Sequence, residues 1–493
     1  MSFSPTDEQT AAVDLAATGQ HIAIEALAGT GKTSTLRLIA DNTHKMGTYI
    51  AFNKAVVVEA EAKFPTWVKC STAHSLAYRA KGHKFRHRLN SPRMRSHEIA
   101  RVLDIQDINV TTENGTRRLA SGFLAGLVLR GVQTFCMTGD DEIAPRHIPK
   151  PRKKGTEPGD SDGPLDDVWE YVIDELAAPL QRAWADTRSV DGRLSFSHNA
   201  YLKLWQLDRP TIKTDFILYD ESQDANGVML SIVEQQRGHA QLIFVGDRFQ
   251  SIYEWNGAVN AMEKAPVDAR THLTHSFRFG SEIAEQANRM LRALGSTAEI
   301  VGRGRAGVVG ALDEPDIILA RTNATCVGLA LKDLDAGGRP HIVGGADDVV
   351  SFARAASDLM AGRATMHPEL GCFDSWGAVR EYVRSDELGG DLQLLVKLVD
   401  DFTAERIIAA FARQPAEQNA TLVLSTAHKA KGREWAAVRL ADDFPGEPGR
   451  EEQRLLYVGV TRAELALDID SVAFLSERHT TIETALDAED VKP

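Results

Sequence analysis

Short apolar runs alternate with amphipathic stretches along most of this chain. The apolar runs occupy residues 22–24, 48–53, 68–74, 215–221, 241–247, 315–322, 339–345, 421–428 and 466–470. A helical run through Ala17 precedes the first of them, with Thr6 or Asp7 as its candidate N-cap. Helical spacing also dominates residues 96–145, 166–188 and 346–418. Strands that alternate with helices predict an α/β protein with parallel sheets and crossover helices.

Two stretches interrupt this pattern. Between residues 79 and 95 the chain is basic and contains no acid, with Arg79, Lys81, Lys84, Arg86, Arg88, Arg93 and Arg95. Such a run is either a solvated face or a contact for a phosphate backbone. Residues 146–165 are rich in proline, glycine and charge, which predicts a mobile loop.

Length and composition narrow the class of protein. A chain of 493 residues is too long for one hydrophobic core, so we expect two to four domains. The net charge of −13 opposes nucleic-acid binding by the whole surface, so any such site must be a local groove. Four cysteines without a CxxC pair predict a reducing compartment, with no zinc site or disulfide framework. Because no signal peptide or membrane-length apolar run occurs, we expect a cytoplasmic protein, associated with the nucleoid if it is bacterial or from a phage.

The first apolar run leads into a glycine-containing turn. Ala28-Gly29-Thr30-Gly31 is followed by Lys32-Thr33, which open a segment with helical spacing. Strand, glycine turn, Gly-Lys-Thr and helix together predict a loop that binds the phosphates of a nucleoside triphosphate. Backbone N–H groups would hold phosphate oxygens, Lys32 would place a positive charge at the β- and γ-phosphates, and Thr33 would ligate Mg²⁺. Ala26 stands where the strict pattern has a glycine.

Acidic and amide side chains follow two later apolar runs. Asp220 and Glu221 come directly after Ile217–Tyr219. A carboxylate at a strand end beside a phosphate loop suits Mg²⁺, so we assign Asp220 as a ligand and Glu221 to the attacking water. After the run at 241–247, Gln250 would bring an amide near the γ-phosphate. The Tyr253 and Trp255 rings that follow either stack on nucleic-acid bases or belong to the core.

The order of these motifs resembles that of superfamily 1A DNA helicases of the UvrD, Rep and PcrA kind, from Phe3 to about Asp470. The matching stretches are the glutamine at Gln9, the phosphate loop, AFNKAVVVEA, STAHSLAYRA, YDESQD, GDRFQSIYEWNGA, HSFRFGSEI, LSTAHKAKGREW and EEQRLLYVGVTRAE. AFNK, TAHSLAY and residues 127–149 are most similar to the F-box DNA helicase branch. No F-box precedes Gln9, so we expect the motor alone.

The resemblance implies two RecA-like P-loop motor domains with mostly helical insertions. Motor domain 1A would comprise residues 1–80 and 200–278, with an inserted domain 1B at 81–199. Motor domain 2A would comprise residues 279–345 and 419–493, with a reduced insertion 2B at 346–418. ATP would bind between the motor domains and drive 3′→5′ movement along single-stranded DNA. Two alternatives remain: a translocase or remodeller that does not unwind, and the motor subunit of a repair or defence complex with a separate nuclease.

The resemblance also assigns roles to single residues. The ATP contacts would be Gln9, Ala28, Gly29, Thr30, Gly31, Lys32, Thr33, Ser34, Phe277 and Glu434. Of these, Gln9 would read the adenine edge, Phe277 would stack on the base and Glu434 would hold the ribose. Catalysis would involve Lys32, Glu221, Gln250, Arg278 and Arg462. The two arginines would contact the γ-phosphate, although each could instead form a surface ion pair.

Contacts to DNA are assigned in the same way. They would come from Phe52, Asn53, His74, Tyr253, Trp255 and His428. Phe52 could instead belong to the core, and the two histidines could be structural. Asn256 stands where the family usually has an arginine, so one expected contact is missing. The expected partners are single-stranded and tailed duplex DNA and a repair or replication protein.

Overall fold

The computed structural model describes residues 4–51, 53–89, 94–112, 115–151, 165–253, 257–365, 367, 370–371, 373, 375–385, 390–411 and 414–475. The chain forms two units. One comprises Met1–Leu27 and Gly31–Leu273, and the other comprises Ala28–Thr30 and Thr274–Pro493. The sequence placed the division five residues later, at 278/279, and the other predicted domain boundaries stay predictions. Within the described ranges, no helix is long and apolar enough to cross a membrane.

The first unit is built on a parallel sheet. Its strands are β1 (Ile22–Ala26), β2 (Gly47–Ala51), β3 (Val68–Thr72), β4 (Ile108–Thr112), β5 (Gly115–Leu119), β6 (Phe216–Tyr219), β7 (Gln241–Gly246) and β8 (Ala269–Leu273). Six of them pair in parallel in the order β3-β2-β6-β7-β1-β8. This sheet confirms the predicted fold class. Because β1, β6 and β7 are neighbours, the loops after them emerge at one edge of the sheet.

Helices cover both faces of that sheet. The helices of this unit, including those of the inserted segment, are α1 (Asp7–Ala17), α2 (Lys32–Thr43), α3 (Lys54–Lys63), α4 (Ala73–Ala80), α5 (Arg86–Leu89), α6 (Ser96–Val102), α7 (Ser121–Phe135), α8 (Trp169–Arg188), α9 (His198–Leu207), α10 (Gly227–Glu234) and α11 (Ala261–Lys264). Thr6 caps α1 as predicted, since its hydroxyl accepts the Gln9 N–H. The cap fixes the start of α1 and therefore the position of Gln9 in its first turn.

Side chains alternate between two cores along each central strand. In β6, Phe216 and Leu218 join a core with the buried positions of α1, α2 and α3. Ile217 and Tyr219 point the other way and join a larger core. That core includes buried side chains of the inserted segment, from Ile99 to Trp205. This alternation follows from the two-residue period of a strand. The inserted segment therefore shares one continuous core with the second face of the sheet.

The inserted segment differs in part from its prediction. Residues 96–145 were predicted to be mainly helical, yet β4 and β5 form an antiparallel pair there. The stretch 127–149 includes most of α7 and the loop after it. The buried Lys203 ammonium donates to Thr138 O at 3.0 Å and lies 4.1 Å from the centre of the Phe135 ring. Lys203 therefore fixes this loop, while most of the predicted loop at 146–165 lies outside the described residues.

The basic run at 79–95 is not one uniform surface. Arg88 is 3% exposed, and its guanidinium donates to the carbonyl oxygens of Thr187 and Leu194 and to the Asp186 carboxylate. Lys81 pairs with Asp208 at 2.5 Å. Arg88 is therefore a structural residue, because a buried guanidinium needs such partners. Arg93 lies outside the described residues.

The second unit contains another parallel sheet. Its strands are β9 (His275–Ser276), β10 (Val301–Gly302), β11 (Val308–Val309), β12 (Ile317–Ala320), β13 (Pro340–Ile342), β14 (Leu422–Thr426), β15 (Trp435–Leu440) and β16 (Ala463–Asp468). Six of them have the order β11-β16-β15-β12-β14-β13, and β9 pairs with β10. The helices are α12 (Ser281–Ala293), α13 (Asn323–Asp335), α14 (Asp347–Met360), α15 (Trp376–Ser385), α16 (Gly390–Phe402), α17 (Ala404–Ala410) and α18 (Arg450–Val460). The helical prediction for 346–418 thus matches α14–α17, which pack against α13 in one core.

Candidate nucleotide and nucleic-acid site

The predicted phosphate loop connects β1 to α2. Gly29 and Gly31 have φ angles of +73° and +79°, a backbone region that favours glycine. Lys32 begins α2, and its Nζ donates to Ala26 O at 2.9 Å. Ala26, the departure from the glycine pattern, is the last residue of β1, and its methyl group packs in the core. The alanine therefore fits a strand position and does not disturb the turn.

Gln9 offers a buried donor beside this loop. Its side chain is 1% exposed, and Oε1 accepts the Thr6 N–H at 3.1 Å. Within the described part of the chain, the Nε2 amide has no hydrogen-bond partner. A β-carbon at Gly31 would lie 3.1 Å from that Nε2. A buried N–H without a partner is costly, so this amide suits an acceptor on a ligand.

The two predicted acids directly follow the last residue of β6 and lie beside this loop. Asp220 is 4% exposed; its Oδ1 accepts the Glu221 N–H at 2.8 Å, and its Oδ2 accepts the Tyr49 O–H at 2.5 Å. Burial, and then the negative charge of Glu221, raise the pKa of Asp220, while Lys32 acts in the opposite sense. Glu221 has a φ of +49°, uncommon for a residue with a side chain. Two adjacent carboxylates, one buried and one partly buried, next to a lysine form an arrangement that a divalent cation would stabilise.

A chain of amides and carboxylates links the acids to the loop after β7. Gln223 Nε2 donates to Glu221 Oε2 at 2.5 Å, and Gln223 Oε1 accepts the Asp247 N–H at 3.1 Å. The buried Asp247 carboxylate then accepts Gln250 Nε2 at 2.7 Å. Gln250 was predicted from the sequence, whereas the contribution of Gln223, which joins Glu221 to Asp247, was not. The glutamine two residues after Glu221 was a usable signal, because one amide can both donate and accept.

In the second unit, four predicted residues occupy one region. Arg278 Nε donates to Glu434 Oε2 at 2.6 Å, and its Nη1 donates to Thr461 O at 2.7 Å. Arg462 is 2% exposed; its guanidinium donates to the carbonyl oxygens of Val458 (2.9 Å) and Arg433 (3.2 Å). Phe277, adjacent to Arg278, is 44% exposed. The arginines are thus held by this unit, and the phenyl ring is available for stacking.

The candidate DNA contacts have different environments. Asn53 caps α3 by accepting the Val56 N–H at 3.0 Å. His74 is partly buried, with Nε2 3.2 Å from Asn199 Oδ1, and it lines a small cavity with Asp220 and Glu221. Burial lowers the pKa of His74, so we expect its ring to be neutral at pH 7.

The other four candidates comprise two described residues, Tyr253 and His428, and two that lie outside the described residues. Burial, with Asp224 and Glu221 next, raises the pKa of the half-buried Tyr253 to about 12. Burial and the charges of Arg321 and Lys431 lower the pKa of His428. Phe52 and Trp255 lie outside the described residues, so their contacts stay predictions.

These residues fit ATP and Mg²⁺. Gln9 supplies a buried donor that has no partner among the described residues, and the Lys32 ammonium donates to a neutral carbonyl of its own loop. Asp220 and Thr33 are oxygen donors of the type that Mg²⁺ prefers. When bound, Mg²⁺ would neutralise charge on the phosphate oxygens. The neighbouring carboxylate of Glu221 would remain to accept a proton from water.

Comparisons with known protein families match both units. A family model of the AAA domain matches residues 9–256. A model of the UvrD-like helicase C-terminal domain matches residues 421–467. The first match covers the phosphate loop, Asp220–Glu221 and Gln250, and the second covers Glu434 and Arg462. Both matched ranges thus include residues of the candidate site.

Individual relatives extend over most of this chain. F-box DNA helicase protein 1 of Schizosaccharomyces pombe is 29% identical over 91% of this chain and 55% of its own length. F-box DNA helicase 1 of Gallus gallus is 28% identical over 91% of this chain and 47% of its own length. ATP-dependent DNA helicase UvrD2 of Mycobacterium tuberculosis is 25% identical over 50% of this chain and 46% of its own length. The chain thus spans about half the length of the curated relatives it matches.

Proposed function

This chain belongs to the UvrD-like superfamily 1 helicases, and from that premise we propose that it is an ATP-dependent DNA helicase and translocase. It would hydrolyse ATP to ADP and phosphate and move 3′→5′ along single-stranded DNA. Tailed duplexes would be its unwinding substrates. The relatives whose names include DNA helicase support the substrate class.

The observation that carries this proposal is the pair of adjacent acids beside the phosphate loop, of which Asp220 is buried and Glu221 is partly buried. Strand β6 ends at Tyr219, and the order β6-β7-β1 brings its end to the sheet edge from which the loop emerges. Lys32 would hold the β- and γ-phosphates, while Thr33 and Asp220 would ligate Mg²⁺. Glu221 would orient and deprotonate the attacking water. The topology supports these roles because the loops after β1 and β6 emerge at the same edge of the sheet.

We assign the remaining contacts to ATP from the resemblance to the helicase family. The unpaired Gln9 Nε2 would donate to the adenine edge, and the exposed Phe277 ring would stack on the base. Glu434 would hold the ribose, and Arg278 and Arg462 would stabilise charge on the transferring phosphoryl group. Since Glu434 accepts a hydrogen bond from Arg278, these two roles would be coupled.

The proposed track for DNA includes the loop after Gln250. Gln250 would communicate the state of the γ-phosphate to Tyr253 and Trp255, on which bases would stack. The Gln223–Asp247–Gln250 hydrogen bonds support this route, because they join the loop to Glu221. Phe52, Asn53, His74 and His428 would supply the other contacts.

Strand displacement by the isolated protein tests the proposal. Duplexes with a 3′ tail, a 5′ tail or no tail are incubated with ATP and Mg²⁺, and ATP hydrolysis is followed in parallel. We expect displacement of the 3′-tailed duplex alone. Lys32→Ala should abolish both activities because it removes the phosphate-binding charge. Lys63→Ala, which breaks only a surface ion pair with Glu59, is the matched control.

Each alternative outcome has a distinct meaning. Absence of DNA-stimulated hydrolysis would contradict the proposed function outright. Hydrolysis and movement along single strands without strand separation would favour a translocase or remodeller. Displacement that begins only after a partner nuclease is added would favour a motor subunit.

A further inference from the structure

The carboxylate of Asp220 is held from two sides. Within the described ranges, Oδ1 accepts the backbone N–H of Glu221 at 2.8 Å and Oδ2 accepts the hydroxyl of Tyr49 at 2.5 Å. The first contact is local, since the donor is the next residue. The second comes from a different strand, 171 positions away in the sequence. Tyr49 is therefore the side chain that can orient this carboxylate independently of its own loop.

The sheet register explains how Tyr49 reaches Asp220. Strands β2 and β6 are parallel neighbours, with Tyr49 opposite Leu218. The Asp220 N–H continues the ladder by donating to Ile50 O at 3.1 Å. Because side chains alternate along a strand, Leu218 and Asp220 share one face, and paired Tyr49 lies on that face too. The hydroxyl therefore arrives at Asp220 from within the sheet.

Packing fixes the direction of the hydroxyl. Tyr49 is 0% exposed, and its ring centre lies 4.8 Å from that of Phe64. Both rings belong to the core that also contains Leu36 of α2. A buried ring in such packing has little freedom, so its O–H group stays directed at Asp220. The bond does not depend on solvent or on a mobile side chain.

A tyrosine is chemically suited to this position. A buried carboxylate needs hydrogen bonds, and the phenol supplies one without a positive charge. A lysine or arginine here would repel a divalent cation, whereas a neutral O–H orients the carboxylate and leaves its other lone pairs available. Groups that orient metal ligands in this way usually change metal affinity when they are removed.

We propose that Tyr49 is a positioning residue for Mg²⁺ binding: its hydroxyl holds Asp220 in the orientation that ligates the cation. This inference rests on the proposed ATPase function and on Asp220 as a ligand. Tyr49 touches neither substrate nor cation and acts only through Asp220. Its contribution should therefore appear in metal affinity, while metal-free nucleotide affinity should be unaffected.

Metal binding can be measured without turnover. The full chain is mixed with ADP and titrated with Mn²⁺, and free Mn²⁺ is followed by electron paramagnetic resonance. We expect Tyr49→Phe to weaken Mn²⁺ binding about 10-fold, within the range usual for such orienting groups. ADP affinity in the presence of a chelator should match that of the wild type. The Mg²⁺ concentration for half-maximal ATP hydrolysis should rise by a similar factor.

Two further variants separate the hydroxyl from its surroundings: Tyr219→Phe is the control, and Phe64→Leu tests the packing. Tyr219→Phe also removes a buried phenol hydroxyl, one residue before Asp220, but its ring belongs to the core on the opposite face. Phe64→Leu alters the ring that packs on Tyr49 and leaves the hydroxyl in place. Tyr219→Phe should bind Mn²⁺ within about twofold of the wild type, whereas Phe64→Leu should show a smaller loss than Tyr49→Phe, because looser packing directs the hydroxyl less firmly. Tyr49→Met, which lacks the hydroxyl but fills the core, should reproduce the defect of Tyr49→Phe.

The outcomes distinguish this inference from the proposed function. If wild type binds no Mn²⁺ with ADP, the metal role of Asp220 fails, and the proposed function and this inference fail with it. If wild type binds but Tyr49→Phe binds equally well, only the positioning role is overturned. Asp220→Asn gives a further check, since Tyr49→Phe should add little to it if the hydroxyl acts through the carboxylate. An equal additional loss in that background would overturn the inference.

Discussion

Replacing Glu221 by glutamine tests the central chemical assignment with a small structural change. Gln has almost the same shape as Glu, and its amide oxygen can still accept the Gln223 Nε2–H that now binds Glu221 Oε2 at 2.5 Å. The contact from the Glu221 N–H to Asp220 is made by the backbone and survives. The φ of +49° is a backbone property that either side chain would share. The variant should therefore fold normally.

The expected loss is almost entirely kinetic. A positioned general base contributes a factor of about 10²–10⁴, equivalent to about 3–5 kcal/mol in the barrier to hydrolysis. The free energy of unfolding should change by no more than about 1 kcal/mol, because a surviving acceptor replaces the carboxylate. Removal of one negative charge beside Asp220 also relieves repulsion between two neighbouring acids. Binding of Mg²⁺–ATP should thus be preserved.

Single-turnover hydrolysis and nucleotide binding should be measured on the same preparations. Glu234→Gln is the matched control, since it makes the same exchange at the end of α10 in the same unit. We expect Glu221→Gln to bind Mg²⁺–ATP like the wild type and to hydrolyse it at least 100-fold more slowly. Hydrolysis within threefold of the wild type would refute the assignment of Glu221 as the base. Loss of nucleotide binding would instead show that Glu221 holds the ligand.

Three further expectations concern the base, the DNA and the phosphoryl group. Gln9→Ala should lower the ratio of ATP to GTP affinity about 5- to 10-fold in competition binding, because it removes the unpaired Nε2; an unchanged ratio would exclude a contact with the base. Trp255→Ala should weaken single-stranded DNA binding by about 1–3 kcal/mol in anisotropy titrations, and unchanged affinity would place the ring in the core. The affinity of the wild type for DNA should also fall steeply as the salt concentration rises. Arg462→Ala should abolish DNA-stimulated hydrolysis while ATP affinity stays near the wild-type value. Arg462→Lys should restore little hydrolysis, because an ammonium lacks the planar, two-pronged donor geometry of a guanidinium. Melting curves are needed for the Arg462 variants, since the buried guanidinium bonds two carbonyl groups, and normal hydrolysis in a folded Arg462→Ala protein would contradict its role.

The main strands and helices of the fold could be predicted from local patterns in the sequence. The apolar run at 215–221 predicted the strand observed as Phe216–Tyr219, and the acids after it lie at the strand end. Such runs are reliable because burial on both faces demands consecutive apolar residues. The hairpin of β4 and β5 was missed because its surroundings are helical. Its β-branched residues and the Asn114-Gly115 pair are nevertheless ordinary signals for a hairpin.

Contacts between residues far apart in the sequence could not be predicted, because local patterns carry no information about which elements lie next to each other. The basic run containing Arg88 could be read only as a solvated face or a phosphate contact, because its partner Asp186 lies 98 positions away. The bond between Tyr49 and Asp220 likewise requires that β2 and β6 be neighbours. Strand order is set by long-range packing, and one sequence gives no direct signal for it. Those contacts therefore had to come from the structure.

The end of β6 joins the two cores of the first unit through one peptide bond. Tyr219 packs into the core shared with the inserted segment, whereas Asp220 is directed to the face that contains Tyr49 and α2. Tyr219 is also paired on both sides, with Ile50 of β2 and Phe244 of β7. Because the peptide unit is planar and both neighbouring strands hold the Tyr219 backbone, the direction in which the Asp220 backbone leaves the strand is fixed. The end of β6 thus places residues of both cores next to the proposed metal ligand.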